Sequence, residues 1–181
     1  MTGKARKMRD EGIDVVSFAA GEPDFNTPEP VCEAAIDAIK SGQTKYTPSS
    51  GTPALKQAVV EKLARENGYG AKPEQVVASC GAKHSLYNAI MTLVDPGDEV
   101  VLLAPYWMTY ADQVRLAGGV PIVVKGEVGE GFVPSRDAIE QAFTSRTKVV
   151  LVNSPSNPTG AVLPRTFIER IAELAIKHDA W

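Results

Sequence analysis

Asn157 stands in the turn Ser154-Pro155-Ser156-Asn157-Pro158-Thr159-Gly160, directly after the apolar run 148–152, so its carboxamide falls just past the carboxyl end of an expected strand. That is where open α/β sheets bind ligands. Pro155 and Pro158 lack backbone donors and have a fixed φ, which stiffens the loop and aims the amide in one direction, as a group that must meet a single acceptor requires. The plainer alternative is an Asx-turn in which Asn157 satisfies its own loop. A second candidate is Gly81-Ala82-Lys83, between an expected strand and an expected helix. Its small residues let the N–H groups of the first helical turn reach an anion, and the helix dipole favours phosphate there. Taken alone, the tripeptide reads as a tight turn with Lys83 in solvent. Trp107 and Tyr110, near another expected helix start, read on their own as core or rim aromatics, and His84 reads as a helix-surface residue.

The hydrophobic pattern supplies a scaffold for these groups. Val31, Ala35, Ala38 and Ile39 predict a helix over 28–41 that stops at Gly42. A second helix opens at Thr52 with Pro53 in its first position and repeats Leu55, Val59 and Leu63, so both helices are expected to be amphipathic. The period then changes: the valine- and leucine-rich runs 75–80, 99–104, 120–125 and 148–153 predict strands buried on both faces. Helices are expected between and after them, over 83–94, 108–117, 135–143 and 167–178, the last with Thr166 and Glu169 at capping-box spacing. Strands alternating with helices imply an α/β fold, with a mostly parallel sheet and helices on both faces. The last helix ends at Asp179-Ala180-Trp181, where alternation requires another strand, which leaves 149–152 as an expected open edge. Residues 126–131 are rich in glycine but lack the G-x-G-x-x-G order, and Glu127 and Glu130 would repel phosphate, so they are expected to form a solvent loop. The same missing fingerprint argues against a dinucleotide-binding module.

A compact chain of 181 residues with 44% apolar and 23% charged residues is long enough to bury a sizeable core. The formal net charge of −3, without basic clusters interleaved with aromatics, argues against a nucleic-acid partner. Cys32 and Cys80 are far apart, and with His84 and His178 they form no metal-ligand spacing; reduced thiols fit a cytoplasmic protein. No leader-like apolar stretch follows the basic start, and no run has the length of a membrane span.

Five segments, in order, resemble successive motifs of the class I aminotransferases, and most closely those of the bacterial aspartate aminotransferase subgroup: Gly21-Glu22-Pro23-Asp24-Phe25, Tyr46-Thr47-Pro48-Ser49-Ser50-Gly51, Gly81-Ala82-Lys83, Pro105-Tyr106-Trp107 and Asn157-Pro158-Thr159-Gly160. The resemblance implies a three-layer fold-type I large domain, incomplete here, over residues 44–181. Residues 1–43 would then supply part of a small domain and the substrate-side loop. It implies pyridoxal 5′-phosphate as cofactor. Asn157 would bond the phenolic oxygen, Trp107 would stack on the pyridine ring, and the N–H groups around Gly81, Ala82 and Lys83 would hold the phosphate. Gly21, Trp107 and Asn157 would face the substrate, and Tyr46 would reach the phosphate of a neighbouring subunit in a homodimer. Asn157-Pro158 is expected to be cis. The implied reaction moves an amino group between an aspartate-like amino acid and a 2-oxo acid. In the family, the lysine that joins the cofactor lies well beyond N-P-T-G, so no catalytic residue is assigned within this chain. The resemblance is shared by β-lyases of the same fold, and a piece without that lysine is expected to be inactive by itself.

Overall fold

The computed structural model describes residues 2–16, 21 and 23–181; Glu22 of the first motif lies outside them. The chain forms two compact units, Met1–Thr47 and Pro48–Trp181. The first contains α1 (Thr2–Asp10) and α2 (Glu29–Lys40). Pro28 precedes α2, and Gly42, at φ +77°, follows its end, as proline before and glycine after a helix lead one to expect. The apolar stripe of α2 covers nothing: no residue of this helix is buried, and Val31, Ile36 and Ile39 are exposed.

The second unit opens with α3 (Pro53–Asn67), whose Thr52 hydroxyl accepts from the Leu55 N–H at 3.2 Å while Pro53 takes the first helical position. Its apolar repeat is only partly covered: Leu55 is exposed, Val59 and Leu63 are half-buried, and no residue of the helix is fully buried. Just before it, Gly51 lies at φ +104°, and a Cβ there would stand 2.9 Å from the Ala78 Cβ, so only glycine fits. The expected strand at 75–80 does not form. Pro73–Gln75 make a single 3-10 turn and the next residues run extended without a ladder; the Ala78 N–H bonds the Ser50 carbonyl at 2.9 Å, and Val77 is exposed. A strand rich in valine needs a neighbour to pair with, and this one has a loop.

Three parallel strands follow: β1 (Glu99–Ala104), β2 (Val120–Lys125) and β3 (Thr147–Leu151), in the order β2-β1-β3. Four helices flank them: α4 (Ala82–Leu93), α5 (Thr109–Leu116), α6 (Arg136–Gln141) and α7 (Arg165–His178). Successive residues of β1 point to opposite faces, so the helix layers divide its side chains between them. Val100 and Leu102 pack with Ile90 and Val94, from α4 and its C-cap, and with Tyr110 and Val114 of α5. Val101 packs with Ile139 of α6, with Phe143 just beyond it, and with Phe167, Ile171 and Leu174 of α7. Val100, Val101 and Leu102 are each 0% exposed, which explains why this strand is apolar without alternation.

The other strands are less covered than expected. In β2, an edge strand that tolerates Pro121, Val120 and Val123 are exposed. The outer side of β3 is not wholly open, because the Trp181 N–H bonds the Lys148 carbonyl at 2.9 Å and its carbonyl accepts from the Val150 N–H at 2.8 Å. This pair has the spacing of a parallel ladder. The expected capping box of α7 is replaced: Pro164 is the N-cap, and Glu169 accepts from Arg165 at 2.8 Å one turn back. Proline at the cap starts the helix ahead of Thr166, leaving that hydroxyl inside the first turn.

Candidate functional site

The chain leaves β1 for α5 on one face of the sheet and leaves β3 for α7 on the other. Adjacent strands whose connections diverge open a crevice at their carboxyl ends. That crevice exists, between Ala104, Pro105 and Tyr106 after β1 and Leu151, Asn153 and Asn157 after β3. Tyr110 and Phe132 close its sides.

The loop carrying Asn157 is built as its residue types predict. Ser154-Pro155 and Asn157-Pro158 are cis, as is Ala104-Pro105 on the facing strand end. The Ser156 N–H bonds the Ala161 carbonyl and the Gly160 N–H bonds the Ser156 carbonyl, each at 2.8 Å, so the turn closes on itself. The Ser154 hydroxyl accepts from the Leu163 N–H at 3.0 Å, fixing the loop's exit. The Asn157 carboxamide is exposed and has no protein partner among the described residues, so it does not satisfy its own loop.

A second cluster adjoins this crevice. Gly81, at φ +84°, is the N-cap of α4 and offers no side-chain cap. Its carbonyl accepts from the His84 and Ser85 N–H groups, while the Ala82 and Lys83 N–H groups have no acceptor among the described residues. Two open donors at the positive end of a helix form an anion seat. The Lys83 ammonium lies 4.8 Å from the centroid of the Trp107 ring, a cation–π distance, and has no carboxylate within 4 Å among the described residues. Gln113 donates to the Lys83 carbonyl at 3.0 Å, tying α5 to the start of α4. Trp107 Nε1 is buried without a partner among the described residues, as are Thr109 Oγ1 and Gln113 Oε1.

The structure therefore brings Lys83 and Trp107 together and sets Asn157 in the crevice beside Tyr106 and Tyr110, whose rings stack at 6.3 Å. Trp107, Ala82 and Lys83 do not line that crevice. The link between the two groups is the start of α5, where the Tyr110 N–H bonds the Trp107 carbonyl at 3.0 Å. Gly21 and Tyr46 belong to the first unit, where both are exposed. Sequence reasoning left Tyr106, Asn153 and Phe132 without roles at this site. The signal for Asn153 was present, as an amide directly beyond the apolar run of β3. Phe132 carried no such signal: Glu127–Gly131 form the exposed loop expected of them, and the next residue turns inward at φ +63°. Gly126 permits that turn, because a Cβ there would collide with the Phe132 carbonyl. Among the described residues, no group of histidines, cysteines and carboxylates is arranged to hold a metal, and no helix is long and apolar enough to cross a membrane.

A family model described as aminotransferase class I and II matches residues 13–181. An aspartate/prephenate aminotransferase of Thermus thermophilus is 48% identical over 179 residues, covering 99% of this chain and 46% of that protein. The aspartate aminotransferase of Bacillus sp. is 46% identical with the same coverage of both. A solved structure of the Thermus thermophilus aspartate aminotransferase with maleate matches at a TM-score of 0.96 and 48% identity, over 99% of this chain and 47% of that one. Alanine aminotransferase from Pyrococcus furiosus matches at a TM-score of 0.93 and 34% identity, over 99% and 46%. The chain spans about half the length of the curated relatives it matches.

Proposed function

This chain belongs to the aminotransferase class I and II family, and on that premise we propose that it is the amino-terminal portion of a pyridoxal-phosphate-dependent enzyme that moves an amino group between an aspartate-like amino acid and a 2-oxo acid. The observation that carries this reading is the pair of N–H donors of Ala82 and Lys83, open among the described residues, on a turn whose Lys83 ammonium lies 4.8 Å from the Trp107 ring centroid. An oriented anion seat next to an aromatic face is what a flat phosphorylated ligand requires. Pyridoxal phosphate supplies, when bound, an electron sink for negative charge on the substrate's α-carbon.

The chain's own residues bind and orient. With pyridoxal phosphate bound, the N–H groups at the start of α4 would take the phosphate, Trp107 would lie against the ring, and the Asn157 carboxamide, without a partner among the described residues, would donate to the phenolic oxygen. The aspartate-like donor rests on the family resemblance. The family resemblance gives Gly21 the substrate carboxylate and gives Tyr46 the phosphate of a neighbouring subunit in a homodimer. The family resemblance makes residues 1–43 part of a small domain.

The test is a titration of the full-length protein with pyridoxal phosphate, followed by assay with aspartate and a 2-oxo acid. Cofactor absorbance, quenched indole emission and formation of a new amino acid are expected. Release of ammonia would identify a β-lyase instead, and a full-length protein that binds no cofactor would end the reading.

A further inference from the structure

The Asn153 carboxamide has two orientations related by a half-turn. In one, its nitrogen reaches the Tyr110 hydroxyl at 3.4 Å and meets the Asn157 backbone N–H donor to donor. In the other, its nitrogen donates to the Pro155 carbonyl at 3.1 Å and its oxygen accepts from the Asn157 N–H, also at 3.1 Å. Only the second pairs a donor with an acceptor on both sides, so the surroundings select it. It also presents the amide oxygen to the Tyr110 hydroxyl, which then donates.

We propose that Asn153 is a positioning residue, whose single side-chain oxygen ties the Asn157 backbone to Tyr110 and so sets where the Asn157 carboxamide is presented. The inference rests on the function proposed above for its meaning, since that reading gives the Asn157 carboxamide a ligand. Its geometry stands apart from the ligand. Pro155 and Pro158 have no N–H to anchor the loop, and the bonds among Ser156, Thr159, Gly160 and Ala161 close the turn only on itself. The Ser156 hydroxyl reaches the Pro105 carbonyl at a weak 3.4 Å. Among the described residues, Asn153 is the side chain that bonds the backbone of Asn157 itself.

The far end of this tie is rigid. Tyr110 is 8% exposed, packs in the core between the sheet and α4, and lies one helical turn from Trp107. The aromatic shelf and the Asn157 loop are thereby referenced to one oxygen atom. The Asn157 carboxamide has no partner among the described residues, so the backbone alone sets where it is attached, and a loosened N–H lets that point move. Losing one net hydrogen bond corresponds to about a tenfold change in an equilibrium.

Backbone hydrogen exchange on the full-length protein tests the tie before any cofactor is added. Asn153→Ala should speed exchange at the Asn157 N–H about tenfold, while the Ser156 N–H, bonded to Ala161, stays unchanged. Asn153→Leu preserves volume and should do the same if the alanine variant fails to fold. Asn153→Asp keeps the acceptor and should restore most of the protection. With cofactor bound, Asn153→Ala and Asn157→Ala should move the pH midpoint of the cofactor's visible band in the same direction, and the double variant should move it no further. Unchanged exchange at Asn157 in both Asn153→Ala and Asn153→Leu, or additive shifts in the double variant, would overturn the proposal. If Asn157→Ala leaves cofactor affinity and spectrum untouched, the assigned function fails, and the exchange result still decides whether Asn153 holds the loop.

Discussion

At the amino end of β1 the Glu99 carboxylate is 2% exposed and receives hydrogen bonds from the Thr144 hydroxyl and the Arg146 guanidinium, and the buried Thr147 hydroxyl accepts from the Thr144 N–H at 2.9 Å. At the carboxyl end, Trp107, Thr109 and Gln113 each hold a buried polar atom without a partner among the described residues, and the Ala82 and Lys83 N–H groups likewise stand open. The same sheet therefore has one end whose buried polar groups are satisfied internally and one end that leaves such groups unmatched. A buried polar atom without a partner costs about 1–3 kcal/mol. That cost is tolerable where something outside the unit supplies the missing bond. The contrast marks the carboxyl end as the candidate binding end without use of any motif.

Three substitutions sharpen or break the contrast. Leu102, 0% exposed in the middle of β1, serves both ends by holding the sheet to its helices, so Leu102→Ala should lower unfolding free energy by about 2–5 kcal/mol in urea denaturation. Glu99→Ala should lower stability by about 1–3 kcal/mol and leave cofactor affinity unchanged, because the carboxylate it removes belongs to the satisfied end. A stable variant that has lost cofactor binding would erase the distinction between the ends. The smallest effect lies outside both ends, where Glu140 bonds Arg170 at 2.7 Å and Arg136 at 3.2 Å. The Arg170 hydrogen bond, ahead of Arg136, holds the Glu140 carboxyl below the ordinary glutamate range. A lowered folded-state value means that the pairing stabilises the fold at neutral pH and that this contribution is lost as acid carries the solution down through the ordinary glutamate range and past it. Glu140→Gln should therefore remove a slight part of the acid sensitivity of the melting temperature without changing cofactor binding.

Much of this was legible in the chain. β1, β2 and β3 and the helices around them announced themselves through their apolar runs, although only β1 is buried on both faces. The run 75–80 has the same composition but no strand beside it, and composition does not say whether a neighbour exists. The stripes of α2 and α3 were read as apolar faces, yet neither helix fully buries a residue; a pattern reports what a helix offers, not what accepts it. At the site, Asn157 and the Gly81-Ala82-Lys83 turn were visible because proline and glycine punctuate the chain there. The pairing of Lys83 with Trp107 and of Asn153 with Asn157 was not, since each depends on side-chain directions that spacing leaves free.

The ring beneath the Lys83 ammonium has an experimental use. The chain has two tryptophans, one at the candidate site and the other, Trp181, exposed beyond α7. Replacing Trp181 with phenylalanine would leave Trp107 as the sole indole emitter of this chain. Its spectrum would then serve as a local gauge of whether an ammonium group still hangs over it or has been drawn away by an acid.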